Sequence, residues 1–466
     1  MAHIRTWEEL QARELTPAEE QLIEACKKGE PCVLGGGELQ PEGTPDPSRH
    51  IRADVLRYLI LGGCDDCIVD DIGVWVIGAH VTGTLDLDFI TTRGAIRMPN
   101  SRFEGRICCE QTKCRQLDLN GSDLQGLRDQ AVKVTGTVFL RNITTQATID
   151  LNSATIGGQL SCEKAVFEVE DGDALNAQGA KINGGLFWRG VTVTKGTLNF
   201  ANAHTSVLCD DESSWPSGGY VDLSGMTYDT VIGGPLDAKT RLVWLDKGSN
   251  WGGKFTPQPY TQLAKVLREM GHDSDARSIL LQRDLLLGPP NRARLKMIPD
   301  GTWKVAFLSL WFDITHPLRV IVDYMFRLIA GYGHRPFRSI PILLALIFVT
   351  IIPAHMAWDE GSFAPNSAII KESEGWKEHQ LESNPAKIWS DKGAAGNDWE
   401  TFNRYAYGLD VVIPIINFGQ TEAWAPSTNR GWWGKQFYWM RWVLGALGWI
   451  VTALGAAAIT GVIRRN

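Results

Sequence analysis

VTGTVFLRNITTQATIDLNSATIGGQLSC, residues 134–162, contains one phrase twice. An apolar residue, a Gly two places on and an apolar–x–apolar triplet fall at Val134, Gly136, Val138 and Leu140. They fall again at Ile156, Gly158, Leu160 and Cys162, with a Gly-less pair, Ile149 and Leu151, between. Alternation of period two sends both apolar side chains of a triplet to one face of a short strand. Outward from this stretch the phrase recurs at Val81–Leu87, Phe103–Cys109 and Ile182–Trp188, with Gly-less pairs at Ile96/Met98 and Leu117/Leu119.

The first members of these pairs fall at 85, 96, 107, 117, 138, 149, 160, 175, 186 and 198, mostly about 11 apart. The Gly form returns about every 22 residues, which predicts two short strands and two turns per coil, with the Gly supplying a φ > 0 turn. No coil buries its own face, so the copies must stack. The prediction over 74–235 is an all-β right-handed solenoid of about 22 residues per coil, in which seven coils make a rod of roughly 35 Å.

Helical caps are expected on both sides. Residues 17–28 read as a helix capped by Thr16 with Pro17 at its first position. Residues 51–61 read as another, ended by Gly62 and Gly63, and a helix there would cover the first strand edge. After the solenoid, 260–270 and 274–287 form a helical hairpin about Gly271, His272 and Asp273. The predicted domains are a cap (1–73), the solenoid (74–235), an adaptor (236–300), an interfacial amphipathic helix (301–337) and a membrane module (338–466).

That module is α-helical and two-span. Residues 340–357 hold no acid, Lys or Arg, and 442–463 form a second apolar run before Arg464 and Arg465. Each approaches the length that crosses about 30 Å of hydrocarbon. Ten of the eighteen Trp lie from Trp358 onward, and Trp favours membrane interfaces. The stretch 301–337 carries Asp313, Arg319, Asp323 and Arg327, which argue for lying at the interface rather than spanning. Gly331, Gly333, Arg335 and Pro336 read as the elbow into the first span; a potassium-filter reading of Gly331-Tyr-Gly333 fails because the triplet precedes both spans. Arg319, Arg327, Arg335 and Arg338 precede the first span, whereas 358–436 holds 11 acids against 7 Lys/Arg. The bias puts both termini inside and 358–436 outside.

Between the spans, 405–419 is apolar but too short to cross. A helix over 399–412 ended by Pro414, followed by Asn417, Gly419 and Gln420, has the order of a pore helix and a filter-like strand, with Asp410 as its ionisable group. The competing reading is an external subdomain that also packs 358–397. Gly445, Gly448, Thr452 and Gly455 offer the second span a helix-contact face. Two spans form no channel alone, so a pore implies a homo-oligomer.

The repeats resemble the pentapeptide-repeat and related quadrilateral β-solenoids, without their regular A-[D/N]-L-x-x phrase. The layout resembles a bacterial group often labelled "membrane-associated oxidoreductase", through residues 51–63, 258–264, 331–336, 407–414 and 417–420. It is also similar to prokaryotic two-span ion channels fused to cytoplasmic repeat domains. The resemblance implies a bacterial inner-membrane protein with a periplasmic 358–436 loop.

The oxidoreductase label finds no cofactor motif. Gly35-Gly-Gly37 opens no helix after a strand in Gly-x-Gly-x-x-Gly form. Cys64-Asp-Asp-Cys67 has dithiol spacing without a βαβ setting, and with Cys108, Cys109 and Cys114 it offers metal-ligand types. The structural reading, buried small apolar thiols, outweighs both. All nine Cys precede residue 210, their number is odd and residues 1–10 hold no apolar signal core, which points to a reducing compartment. Net charge −7, and −5 over 74–235 (18 acids, 13 bases), argue against nucleic-acid binding and fall short of DNA mimicry.

The expectation is a non-enzymatic membrane protein without cofactor or bound metal. Its cytoplasmic solenoid senses or binds an unidentified protein partner and is coupled to an oligomeric, ion-conducting two-span module in lipid. The alternative is a membrane-tethered scaffold in envelope stress or phage defence, without conduction. A redox enzyme ranks last.

Overall fold

The computed structural model describes residues 3–43, 46–216, 220–249, 255–287, 324–325, 327–329, 331 and 334–460. It divides into two compact units, Met1–Leu287 and Gly288–Asn466, taken in turn below. The expected interfacial helix at 301–337 lies almost wholly outside the described residues, as does Gly333.

The first unit is a parallel β-solenoid over residues 73–232 with about 22 residues per turn. Each middle coil carries four short strands rather than the two expected. One coil runs Asp123–Leu124, Leu127–Arg128, Lys133–Val134 and Val138–Phe139; the next runs Thr144–Thr145, Ile149–Asp150, Thr155–Ile156 and Leu160–Ser161. Every strand pairs in parallel with the strand one coil away, from 20 residues on (Ile107 with Leu127) to 26 (Leu160 with Leu186). The 11-residue step is therefore half a coil holding two strands. The apolar residue before each Gly belongs to a ladder of its own, as Val81↔Phe103 and Val134↔Ile156 demonstrate.

One inward column runs Leu85, Ile107, Leu127, Ile149, Leu175, Leu198 and Val221 through seven strands, all buried. Burying each such side chain contributes about 1.5–3 kcal/mol, so stacking supplies what two-residue strands cannot.

The repeat glycines act differently from expectation. Gly83 has φ +83°, but Gly105, Gly136, Gly158 and Gly184 do not have positive φ. They are small because the neighbouring coil passes close by. A Cβ on Gly136 would lie 2.6 Å from the Arg115 carbonyl oxygen, and one on Gly184 2.7 Å from that of Gly158. Left-handed corners are taken by other residues: glycines such as Gly121, Gly179 and Gly190, and side-chain-bearing residues including Phe89, Asn100, Gln111, Ala131, Asn142, Ser153, Lys164 and Asn202. For Asn the local polar side chain eases this conformation; for Ala131 and Lys164 the stacked backbone must enforce it.

Three helices precede the main coils: α1 (Trp7–Gln11), α2 (Pro17–Lys28) and α3 (Ala53–Ile60). Thr16 and Glu19 form a capping box on α2, with Pro17 in its first turn. Helix α3 is shorter than the expected 51–61 because His50–Arg52 is a strand paired with His80–Thr82. Val55, Leu56 and Leu59 are fully buried in the solenoid core. At the far end lie α4 (Ala238–Gly248), α5 (Gln258–Glu269) and α6 (Asp273–Leu287). Gln258 and Gln262 donate side-chain N–H to the carbonyls of Met226 (3.0 Å) and Tyr228 (2.6 Å), satisfying the last strand's edge. Asp210 and Arg241 pin α4 to the last coils through two 2.7 Å bonds, with Trp215 Nε1 donating to the same carboxylate at 2.9 Å.

In the second unit two apolar helices, α7 (Ser339–Asp359) and α9 (Trp432–Ile459), are long and apolar enough to cross a membrane. Helix α9 begins ten residues before the expected second span, whose last residues fall outside those described. The helices run antiparallel. Ser339 faces Gly455 at one end, and at the other Glu360 accepts N–H from Trp432 (2.9 Å) and Trp433 (2.9 Å), capping α9. Beyond that end, 360–403 folds on an aromatic core of Trp358, Phe363, Trp376, Trp389, Phe402 and Trp424, with Phe363–Pro365 paired to Trp424–Pro426.

Candidate functional site

The connection between α7 and α9 has two parts. The 360–403 part packs on itself, and a short helix, α8 (Arg404–Val412), then runs back between the two long helices. Asn403 starts it: its side-chain oxygen accepts N–H from Tyr405 (2.9 Å) and Ala406 (3.2 Å). A small residue at 408 lets it approach α7, since a Cβ there would lie 2.8 Å from Ile351 Cγ1. Its last turn meets α9. A Cβ on Gly445 would be 3.3 Å from the Val411 oxygen, and one on Gly448 only 2.8 Å from the Val412 carbonyl carbon.

Pro414 follows the end of α8, and 413–419 returns as non-helical backbone. The Asp410 carboxylate holds this return. Oδ1 accepts N–H from Phe418 (2.6 Å), and Oδ2 accepts from Gln420 (2.8 Å) and Thr421 (3.4 Å). Gly419, at φ +80°, makes the turn into Gln420–Ala423. Asn417 Oδ1 accepts from the Gly419 N–H at 2.8 Å while its Nδ2 donates to Glu422 at 2.9 Å. Gln420 is buried and joins the two legs: it donates to Glu400 Oε1 (3.1 Å) and the Thr401 carbonyl (3.0 Å), and accepts from the Asn403 N–H (2.8 Å). All five hairpin residues singled out in the sequence therefore lie in one connected structure. The carboxylate faces backbone N–H groups, an arrangement that fixes loop shape.

Two residues that sequence reasoning passed over sit beside it. Tyr407 is fully buried, with its hydroxyl next to Arg441 and in electrostatic reach of Asp410. Arg441 also lies over the rings of Tyr438 and Trp442. The signal available was an arginine one residue before an apolar run. At the tip, Ile415 is 81% exposed and Phe418 52% exposed, an apolar surface uncovered among the described residues.

The helix-contact residues divide. Gly448 and Gly455 are buried, and Gly445 and Thr452 half-buried. Leu444, Gly448, Val451, Gly455 and Ala458 form the inner face, the three- and four-residue steps of a helix with 3.6 residues per turn. Of the elbow, Gly331 has φ +51° and its carbonyl accepts from the His334 N–H at 3.0 Å, and Arg335 is exposed. Pro336 opens a 3₁₀ turn, Pro336–Arg338, leading into α7.

Among the cysteines, Cys109, Cys114 and Cys162 are buried at inward solenoid positions, whereas Cys64 and Cys108 are half-buried. Burial pushes the Cys114 thiol up to about 12 and Cys109 well above the usual thiol range. No protein family, curated protein or solved structure matches this chain. The fold and the paired apolar helices fit a membrane-associated β-solenoid protein.

Proposed function

We propose that this is a non-enzymatic, membrane-anchored protein in which α7 and α9 span a bilayer and 404–420 re-enters it. In a homo-oligomer the hairpin lines an ion path, and the solenoid is a cytoplasmic sensing or docking domain. The observation that carries this reading is the seat of Val412 on Gly448. Gly448 lies 16 residues after Trp432 and 11 before Ile459 (448 − 432 and 459 − 448), or about 24 Å and 17 Å along a helix at 1.5 Å per residue. If α9 spans, the end of α8 is deep in the hydrocarbon layer. Non-helical backbone at that depth persists only inside protein or against water; where the described residues leave 413–419 open, as at Ile415 and Phe418, another copy would supply that cover. The Lys/Arg bias supports an outside position for 358–436 and inside termini in a bacterial inner membrane.

The test is full-length protein in liposomes under potassium, sodium and chloride gradients, read by a voltage-sensitive dye, with its oligomeric mass measured in detergent. An oligomer with flux altered by Asp410→Asn supports the proposal. A monomer without flux for any ion leaves the tethered scaffold as the better account.

A further inference from the structure

Gly63–Cys64 and Cys67–Ile68 form a two-strand hairpin turned by Asp65 and Asp66, in which Cys64 and Cys67 are directly paired. Paired residues on antiparallel strands have Cα atoms about 4.5–5.5 Å apart, within the roughly 4.4–6.8 Å that a disulfide bridges. The two thiols differ in setting. Cys64 is half-buried, and the Tyr58 hydroxyl donates to its sulfur at 3.0 Å. The Asp66, Trp7 and Cys67 backbone N–H groups add to that bond, and together they hold the thiol below its usual range. Cys67 is buried, and desolvation pushes its thiol up. A cleft of about 280 Å³ lined by His3, Arg5, Arg57, Tyr58 and Gly63 opens beside the hairpin.

We propose that Cys64 and Cys67 form a reversible dithiol–disulfide switch in the cap of the solenoid, with Cys64 as the peroxide-reactive thiol and Cys67 as the resolving one. The Cys64 thiolate attacks one oxygen of hydrogen peroxide, the O–O bond breaks, and hydroxide leaves a sulfenic acid on Cys64. The Cys67 sulfur then attacks that sulfur and the S–O bond breaks. The departing hydroxide takes the Cys67 proton as water. Two thiols have lost two electrons and peroxide has gained them; a small dithiol reductant reverses the change. The spacing that lacks a βαβ setting in the sequence gains a purpose from the hairpin register and the Tyr58 hydroxyl. Neither depends on the conduction proposed above.

The test uses the full chain in detergent, reduced with dithiothreitol and then exposed to substoichiometric hydrogen peroxide. Peptide mapping is expected to find Cys64–Cys67 as the first disulfide. Cys67→Ser is expected to leave a dimedone-reactive sulfenic acid on Cys64. Tyr58→Phe, which keeps the buried ring, is expected to move the pH profile of Cys64 alkylation upward and slow oxidation several-fold. The proposal is overturned if the first disulfide joins Cys67 to Cys26 or Cys32, if other thiols oxidise before Cys64, or if Tyr58→Phe leaves the alkylation profile in place.

Discussion

Val412 and Gly448 meet backbone to backbone: a Cβ on Gly448 would stand 2.8 Å from the Val412 carbonyl carbon and nearer still to its oxygen. This contact seats the hairpin on α9. Gly448→Ala must push α8 away, and overpacking of this kind costs about 1–3 kcal/mol. Gly445→Ala, whose Cβ would lie 3.3 Å from the Val411 oxygen, demands less movement. Thermal unfolding in detergent is expected to show a clear drop in Tm for the first and a small one for the second. Equal drops would mean that the seat is not set by Gly448.

Asp410 ties the return of the hairpin through N–H groups of Phe418, Gln420 and Thr421. Asp410→Asn keeps the shape but replaces one acceptor with an amide that donates, leaving at least one N–H unsatisfied at about 1–3 kcal/mol. Hydrogen exchange is expected to accelerate at 418–421 while the α7 and α9 amides keep their protection. Unchanged exchange at 418–421 would remove Asp410 from that role.

The solenoid was legible where residues alternate cleanly, and Leu127 marks where legibility ended. It stands in the inward column between Ile107 and Ile149, yet two places on comes Asp129 rather than an apolar residue. With Asp129 there the apolar pair disappears from the pattern, which is why the step from 117 to 138 looks doubled. Thr145 and Thr205, polar residues at fully inward positions, interrupt two further ladders in the same way. The four-strand coil was missed because strands of two residues leave no periodicity to read. In the hairpin, the stop at Pro414 was readable and so was a helix, though it begins at Arg404 rather than at 399 because Asn403 caps it. Whether it turns back between the long helices rests on Val412 meeting Gly448, a contact between residues 36 apart (448 − 412) that no local pattern encodes.

Asp210 and Arg241 form a fully buried pair closing the last coils, with Trp215 and Trp244 flanking the guanidinium. Arg241→Ala strands a buried carboxylate, a loss of about 3–5 kcal/mol. Arg241→Met combined with Asp210→Leu removes both charges and is expected to regain much of that loss. Thermal unfolding of the two variants checks this: a double variant no more stable than Arg241→Ala would mean that the pair acts through packing instead.

Asp129 is buried, with Oδ1 accepting the Val132 N–H at 3.0 Å and Oδ2 lacking a partner among the described residues. Burial, with Asp150 and Asp88 adding like charge, pushes its carboxyl up to about 8 from an unfolded value of 3.8. Between those two pH values the folded chain holds a proton that the unfolded chain has released. The stabilising effect of the neutral form is therefore complete below pH 3.8, falls as pH rises, and is lost once the pH passes about 8. Asp129→Asn abolishes this dependence. Its stability relative to the parent chain is expected to climb from about pH 4 to about pH 8 and level off above, in contrast to a salt-bridged carboxylate, whose loss hurts most at high pH. Denaturant unfolding at a series of pH values measures the difference. A flat difference across that range would mean that Asp129 is ionised in the folded core.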